Sequence, residues 1–553
     1  MKPIVKLFLL SSLLLFAEEK LFQHLYWHKL LHVKNGASQI DDPHFFLSKN
    51  GKLSPKEELE ATLKSLKESD HTDINGTQCR YPARTRWLKT NLPQQEIKEC
   101  KYLSAHLQKF DFKTLYVVYT SSFMNAPASM VGHTFLRFDK DENTPLLSYA
   151  LNYSAQIKDN PNILSYAYNG LFGGFKGRYS IIPYYEMVKL YSDMEHRDMW
   201  EYKLDLTPEE IERVVLHMFE IKAFYSDYFF TSENCSYNLL WFIELAKENL
   251  KLVDKFDHIT APMDTIKELE RQHLIKESIF RASKTTKIKN IYAKIREKEM
   301  AKIFLKEGNL TDIQTLPTSE QTDILSLYFL KNNQKDITKL LTYRSQLGIK
   351  KSEKPIPSTN PIHANKSTKL TLSYRNHQPE FGIRFAYHDI HDVDYDFNEG
   401  SYISFFDIQA TPHQLNAIKL IDINSLTKPH PLYNPYSWGL SFGFDREKRD
   451  RLTANLKLKG GKSFDLFDAL LFVQPTLEIG YPNKAHSYKI HLNLGYEVGL
   501  IKSFRDFKMG LLATPYQKEG FFTYQFVDDM ALHLSIIEKE RERVGGVRVF
   551  FYF

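Results

Sequence analysis

The chain has 553 residues, which is too long for one compact core and predicts several domains. Its net charge of +6, from 73 basic and 67 acidic residues, is mild and not concentrated in a basic block, so we expect no nucleic-acid partner. The 39 Phe and 32 Tyr residues exceed what ordinary soluble enzymes contain and are typical of the aromatic girdles of membrane barrels.

Residues 1–17 are predicted to be a secretory signal peptide. Lys2 and Lys6 precede an apolar stretch that runs from Leu7 to Phe16, and Ala17 offers a small residue for cleavage. The alternative is a short membrane anchor, but this stretch is too short to cross ~30 Å of hydrocarbon. We therefore expect export to the cell envelope.

Residues 18–111 are predicted to form a helical accessory region. Cys79 and Cys100 lie within it and are expected to form a disulfide in an oxidising compartment, worth ~3 kcal/mol for a loop of this size. Cys235 is then the odd thiol of the three cysteines, so it is either buried and inert or kept free for chemistry.

Residues 112–270 have the pattern of a mixed α/β domain, with apolar strands predicted at 115–119, 133–138 and 146–153. His133 stands where a turn opens onto the second of these strands. Cys235 stands where a polar loop opens onto an apolar helix, and the positive end of a helix dipole lowers the pKa of a thiol. A histidine beside such a thiol can take its proton, so acyl transfer or hydrolysis is the leading hypothesis.

Residues 271–365 are predicted to be a lysine-rich helical region that ends in a linker, and residues 366–553 change to a period of two. In the last strand, Val547, Val549 and Phe551 alternate with Arg548 and Phe550. About ten to twelve strands of roughly ten residues, apolar on one face, predict a transmembrane β-barrel. The alternative is a soluble antiparallel sheet or sandwich.

Three motifs in 112–270 resemble the Lnb N-terminal periplasmic domain family, whose members look like circularly permuted papain-like thiol enzymes. The motifs are Gly132-His133-Thr134-Phe135-Leu136-Arg137-Phe138, Leu147-Ser148-Tyr149-Ala150-Leu151-Asn152-Tyr153 and Asn234-Cys235-Ser236-Tyr237-Asn238-Leu239-Leu240. The resemblance implies an α+β catalytic domain and transfer of an acyl chain from a phospholipid to the N-terminus of a bacterial lipoprotein. With the barrel, it implies an outer-membrane protein with a periplasmic catalytic domain.

The residues themselves assign roles in such a reaction. Cys235 would carry the acyl group as a thioester, and His133 would act as base. Asn152 is the favoured partner for the imidazole and Ser148 the other candidate, both on the strand after that of His133. The Cys235 backbone amide could form an oxyanion hole with Asn234 or Tyr228.

Two other functions stay open at the level of sequence. One is a cysteine hydrolase, acting as a peptidase, amidase or phospholipase, in which water replaces the lipoprotein or peptide acceptor. The other is a barrel-anchored envelope assembly protein with a degenerate site. The sequence has no His-Glu-x-x-His zinc motif and no Gly-x-Ser-x-Gly elbow, so we expect neither a metal nor a cofactor.

Overall fold

The computed structural model of the protein describes residues 21–121, 131–157, 162–332, 338–348, 359–375, 378–395, 399–446, 452–481, 490–539 and 542–553. The signal peptide predicted for residues 1–17 lies outside these ranges. The chain divides into two compact units, one formed mainly by residues before 280 and the other mainly by residues from 280 onward.

The first unit begins with a helical region. Its helices are α1 (Leu25–Leu30), α2 (Pro55–Glu68), α3 (Thr77–Arg80), α4 (Pro82–Asn91) and α5 (Leu103–Lys109). Proline stands at the start of α2 and of α4, where its missing N–H costs no hydrogen bond. The predicted disulfide between Cys79 and Cys100 is confirmed.

Arg84 of α4 joins this helical region to the rest of the first unit. Its guanidinium is fully buried and pairs with Glu58 at 2.6 Å and with Glu220 at 2.7 Å. Removing one member of a buried ion pair leaves the other charge uncompensated, which is strongly destabilising. The N-terminal helices are therefore part of the same folded unit as the strands that follow.

A β-sheet forms the centre of the first unit. Its strands are β3 (Thr114–Thr120), β4 (His133–Asp139), β5 (Tyr149–Gln156), β6 (Phe175–Pro183), β7 (Met199–Leu204), β8 (Tyr225–Tyr228) and β9 (Ile275–Arg281), after a short hairpin of β1 (Val33–Lys34) and β2 (Ala37–Ser38). Within the described residues the sheet has seven strands in the order β8-β6-β5-β4-β3-β7-β9. The central strands β3 and β4 are buried over almost their whole length. This fits the apolar run of β3, whereas on β4 the buried Arg137 is paired with Asp139 and Glu201.

Strand β9 differs from the sequence prediction, which placed residues from 271 onward in a helical region. It lies at the edge of the sheet, and Lys276, Glu277 and Ser278 are exposed. An edge strand of this polarity lacks the apolar pattern from which strands are recognised.

Helices of the first unit pack around this sheet. They are α6 (Ile163–Leu171), α7 (Tyr184–Val188), α8 (Pro208–Ile221), α9 (Cys235–Ala246) and α10 (Pro262–Arg271). Thr207 and Glu210 form a reciprocal capping box at the start of α8. Every residue of α9 is buried, so this helix is a core element of the unit.

The second unit contains a small helical bundle and a β-barrel. The bundle consists of α11 (Lys284–Lys294), α12 (Lys298–Glu307), α13 (Thr318–Lys331) and α14 (Thr338–Gln346). Its buried core includes Ile288, Phe304 and Ile324, and Leu432 and Tyr433 of a barrel loop pack against it.

Twelve antiparallel strands form a closed barrel in the described part of residues 366–553. They are β10 (Lys369–Arg375), β11 (Gln378–His388), β12 (Tyr402–Thr411), β13 (Gln414–Ser425), β14 (Ser437–Asp445), β15 (Thr453–Leu466), β16 (Ala469–Tyr481), β17 (His491–Ser503), β18 (Phe507–Ala513), β19 (Gln517–Val527), β20 (Met530–Lys539) and β21 (Glu542–Tyr552). Consecutive strands pair, and β10 closes the ring by pairing with β21, so that Lys369 faces Tyr552. The soluble-sheet alternative is thereby excluded, and the predicted barrel is confirmed.

The barrel presents apolar side chains outward and polar side chains inward. On β20, Leu534 and Ile536 are exposed, whereas His533 and Ser535 are buried. This alternation is the one that a lipid-facing barrel with a polar interior requires. Among the described residues, none of the helices has both the length and the apolar character needed to cross a membrane.

Charged side chains fill one end of the barrel interior. The loop after β11 carries Asp389 and Asp392, which pair with Lys369 and Arg384 of the neighbouring strands. Beyond this loop, a cavity of ≈ 1040 Å³ runs along the interior. The loop and its ion pairs therefore lie at one end of a lumen lined largely by polar and charged side chains.

Candidate active site

Cys235 is the first residue of α9, as the sequence predicted for a helix N-terminus. The side-chain oxygen of Asn234 caps this helix by accepting from the backbone N–H groups of Ser236, at 3.1 Å, and Tyr237, at 3.3 Å. The thiol is therefore held at the positive end of the helix dipole, where a thiolate is stabilised. It is 3 % exposed.

His133 is the first residue of β4, and its imidazole hydrogen-bonds with the Cys235 thiol. Gly132, directly before it, has a φ of 91°, which a residue with a side chain rarely adopts. His133 Nε2 donates to Asn152 Oδ1 of β5 at 2.7 Å. Because an amide oxygen can only accept, Nε2 carries the hydrogen, and Nδ1 is the atom left to take the proton of the thiol.

The surroundings of Cys235 favour the thiolate. Burial by itself would raise the pKa of the thiol, but the charge of His133 and its hydrogen bond act in the opposite direction. The backbone N–H of Thr134 adds a further hydrogen bond to the sulfur. Together these contacts lower the pKa of Cys235 from 9.0 to about 7, so that much of the thiol is ionised at neutral pH.

Tyr228 is the last residue of β8 and directly precedes residues 229–234, the loop that leads to Cys235 and is called the thiol loop below. Its hydroxyl oxygen accepts from the backbone N–H of Cys235 at 3.2 Å. Burial and the charge of Cys235 raise the pKa of Tyr228 well above its usual value, so the phenol stays protonated. Tyr228 is thus a neutral donor beside the backbone amide that the sequence analysis assigned to an oxyanion hole.

Asn234 and Ser148 have other roles than those predicted. Besides capping α9, the Asn234 side chain donates to the backbone oxygen of Thr260 at 2.6 Å, so its oxygen and its nitrogen are both committed to the fold. Ser148 hydrogen-bonds with Asp139, at the opposite end of β4 from His133. The strand register explains this, because Tyr149 lies opposite Phe138, which places Ser148 near the end of β4 rather than its beginning.

The sequence analysis missed Gln39, from the hairpin that contains β1 and β2. Its amide nitrogen donates to Glu233 at 3.0 Å, and its amide oxygen accepts from Tyr237 at 2.8 Å and from Trp241 at 3.2 Å. These contacts fix the loop before Cys235 and the first turns of α9. No motif marks Gln39, and only the fold brings it to this loop.

Family comparisons match three parts of the chain. Residues 102–272 match the Lnb N-terminal periplasmic domain, as the three motifs indicated. Residues 19–91 match a domain of unknown function, DUF7843, and residues 358–526 match another, DUF7840. No curated protein matches the sequence.

The solved structures that the barrel resembles are porins and an outer-membrane protein. The NanC porin is 9 % identical, and the match covers 34 % of this chain and 99 % of that one with a TM-score of 0.24. The KdgM porin is 10 % identical, with coverage of 34 % and 99 % and a TM-score of 0.23. Omp33 of Acinetobacter baumannii is 12 % identical, with coverage of 34 % and 100 % and a TM-score of 0.22. Likeness at this level carries no argument about activity.

The periplasmic-domain match and the closed barrel agree on location. A barrel with an apolar outer surface requires a bilayer around it, and the matched domain is periplasmic in its family. The protein is therefore an envelope protein of the outer membrane, as predicted.

Proposed function

We propose that the protein is a thiol-dependent acyltransferase that moves an acyl chain from a phospholipid to the N-terminus of a lipoprotein. The observation that carries this proposal is the linked series Cys235–His133–Asn152, in which the thiol meets an imidazole whose far nitrogen is fixed by an amide oxygen. Nucleophile, base and orienting group in this order are the parts that covalent acyl transfer requires.

In the first half-reaction, the Cys235 thiolate attacks the ester carbonyl carbon of the phospholipid. A C–S bond forms and the C–O bond to the glycerol breaks, leaving a thioester and a lysophospholipid. His133 holds the proton from the thiol and delivers it to the departing alkoxide.

In the second half-reaction, the amine of the acceptor attacks the thioester. A C–N bond forms, the C–S bond breaks, and Cys235 leaves as thiolate. His133 takes the proton that the amine loses. Asn152 keeps the ring in one tautomer through both halves, because its oxygen holds the Nε2 hydrogen in place.

In each half-reaction the carbonyl oxygen becomes negatively charged, and hydrogen-bond donors must stabilise that charge. The Tyr228 hydroxyl is the group suited to this role, because its oxygen accepts from the Cys235 backbone N–H at 3.2 Å and its own hydrogen is the one that can be donated to the carbonyl oxygen. A phenol with a raised pKa donates a hydrogen without itself ionising.

Exposed aromatic side chains near the thiol loop support a lipid substrate. Tyr168 and Phe172, at the end of α6, are 65 % and 67 % exposed, and their rings contact each other. This helix end is joined to the thiol loop, because Gly170 O accepts from the N–H of Phe230 at 2.8 Å. An exposed aromatic pair on a helix end that is hydrogen-bonded to the loop before the nucleophile is suited to contact acyl chains at a bilayer surface.

The test uses the full-length protein in detergent with a phospholipid and a synthetic diacylated lipopeptide that has a free N-terminal amine. Mass spectrometry is expected to show an acyl gain on the lipopeptide with the wild type and none with Cys235→Ala. His258→Ala, at an exposed histidine, is the matched control and is expected to transfer like the wild type.

Two outcomes would overturn the proposal. Release of fatty acid or cleavage of peptide without acylated lipopeptide would assign a hydrolase that uses the same thiol and imidazole. Equal products from the wild type and Cys235→Ala, with a thiol that resists alkylation in the folded protein, would assign an assembly role with a degenerate site.

A further inference from the structure

Three side chains that are distant in sequence converge inside the barrel. They are His391 in the loop after β11, Glu519 on β19 and His533 on β20. One nitrogen of each imidazole and one carboxylate oxygen lie within 4.8 Å of one another. His391 Nε2 and Glu519 Oε1 are 3.3 Å apart.

We propose that these three side chains bind a divalent transition-metal ion of the zinc type in the barrel interior. Two imidazole nitrogens and a carboxylate oxygen are a donor set that zinc prefers, whereas Mg²⁺ and Ca²⁺ prefer oxygen alone. Metal–ligand distances of ~2.0–2.2 Å place tetrahedral ligand atoms about 3.4 Å apart, close to the separation of His391 Nε2 and Glu519 Oε1.

The burial and hydrogen bonding of His533 support this site. Its side chain is fully buried, and its Nε2 has no hydrogen-bond partner among the residues that the structure describes. Buried polar atoms in native proteins nearly always have a partner, so this nitrogen, on a residue clustered with two other ligand groups, is expected to have one. A metal ion supplies that partner.

A hydrogen bond orients the His533 imidazole, and a carboxylate lies near the His391 imidazole. Thr523 Oγ1 lies 2.8 Å from His533 Nδ1, a contact that engages this nitrogen and leaves Nε2 to face the cluster. Asp389 Oδ1 lies 3.8 Å from His391 Nδ1. Partners on the far nitrogens of ligating imidazoles are the usual second layer of a metal site.

The lumen provides a route to the site. His391 and Glu519 line the cavity of ≈ 1040 Å³, whereas His533 lies behind them. Lys369 and Arg384 are paired with Asp389 and Asp392, so their charge is offset locally. Arg548, which lies opposite His533 in the pairing of β20 with β21, lines the same cavity. An ion arriving through the lumen would meet two ligands first, and its fourth position would face the cavity.

The test measures Zn²⁺ bound to detergent-purified, chelator-treated, full-length protein that carries Cys235→Ala, so that the thiol binds no metal. Elemental analysis and calorimetric titration are expected to give one Zn²⁺ per chain. His391→Ala and Glu519→Gln are expected to lose this binding, and the exposed histidine change His413→Ala is expected to retain it. His391 is 20 % exposed in a loop, so its removal is expected to leave the barrel folded.

A conservative substitution at Thr523 distinguishes metal coordination by His533 from simple packing of its side chain. Thr523→Val keeps the shape of the side chain but removes the contact to His533 Nδ1, and is expected to weaken Zn²⁺ binding by about 10–100-fold. Co²⁺ in place of Zn²⁺ is expected to give visible absorption typical of tetrahedral coordination. Mobility on unheated SDS gels confirms that each variant barrel is folded.

The proposal fails if the folded protein binds no stoichiometric Zn²⁺. It also fails if His391→Ala binds Zn²⁺ as tightly as its parent, in which case His391 and Glu519 form an ion pair only. Neither result bears on the acyl-transfer proposal, because that reaction uses Cys235 and no metal.

Discussion

The thiol site of the first unit and the imidazole–carboxylate cluster of the barrel are both polar groups gathered in buried surroundings, but they are completed differently. At the thiol site, each polar atom named above has a protein partner, from the sulfur through the imidazole to the Asn152 oxygen. In the barrel cluster, His533 Nε2 has no partner in the described chain. In the two proposals, the first arrangement acts through its own side chains, whereas the second binds an ion from outside.

Substitution of Cys235 at the thiol site and of His391 in the barrel cluster is expected to separate acyl transfer from Zn²⁺ binding most clearly. Cys235→Ala is expected to lower acyl transfer by about 10⁴-fold or more, because the covalent intermediate cannot form, and to leave Zn²⁺ binding at the barrel cluster unchanged. His391→Ala is expected to abolish Zn²⁺ binding. Parallel mass spectrometry and calorimetry on both variants check this, and loss of both properties in either variant would mean that the sites are not independent.

Loss of the base is expected to have the next largest effect. His133→Ala should lower acyl transfer by about 10²–10⁴-fold, because neither the thiol nor the incoming amine then has a proton acceptor. Its matched control is His258→Ala. A full rate in His133→Ala would assign the base to another group and contradict the proposed mechanism.

The ionisation of Cys235 distinguishes an active thiol from a buried, inert one. Alkylation of the folded wild type is expected to rise with pH around a midpoint of about 7, and in His133→Ala the midpoint should move above 9.0, because burial is then less opposed. Since the folded pKa lies below the usual 9.0, the stabilisation from ionisation is fully present above 9.0 and is lost as the pH falls through about 7. Pseudo-first-order alkylation rates from pH 5 to 10, an order-of-magnitude window around these values, check both midpoints. A wild-type midpoint at or above 9.0 would contradict the assignment.

The orienting residue is expected to have the smallest effect. Asn152→Ala removes one hydrogen bond to an imidazole that becomes charged, worth about 1.5–3 kcal/mol, or roughly 10–150-fold in rate. Asn152→Asp restores an acceptor and is expected to recover much of this rate. Steady-state acyl transfer measures both, and equal loss in the two variants would mean that Asn152 has a packing role only.

The sequence predicted the thiol and the imidazole because Cys235 and His133 lie at recognisable starts of elements. Cys235 begins an apolar helix, His133 follows a glycine before a strand, and Asn152 lies on the next strand. Ser148 was misplaced because strand register depends on pairing, which spacing along the chain does not determine. Gln39 was missed because its contacts exist only in the folded unit.

In the barrel too, the sequence predicted the strands but not the contacts between residues that are distant along the chain. Alternation of apolar and polar residues predicted its strands, because a barrel in lipid imposes that period on every strand. The cluster of His391, Glu519 and His533 had no such signal. Each is one polar residue among many that face inward, and only ring closure brings the three together.

The strand pairing that closes the barrel differs from all the others in the sequence separation of its two strands. Each pairing inside the barrel joins consecutive strands, except that of β10 with β21, in which Lys369 meets Tyr552. Local hairpins form quickly, whereas a contact between residues so distant in sequence is slow. Without that pairing, β10 and β21 would be open strand edges of the kind that pair with other chains, so the closing pair is the one that removes the edges of the sheet.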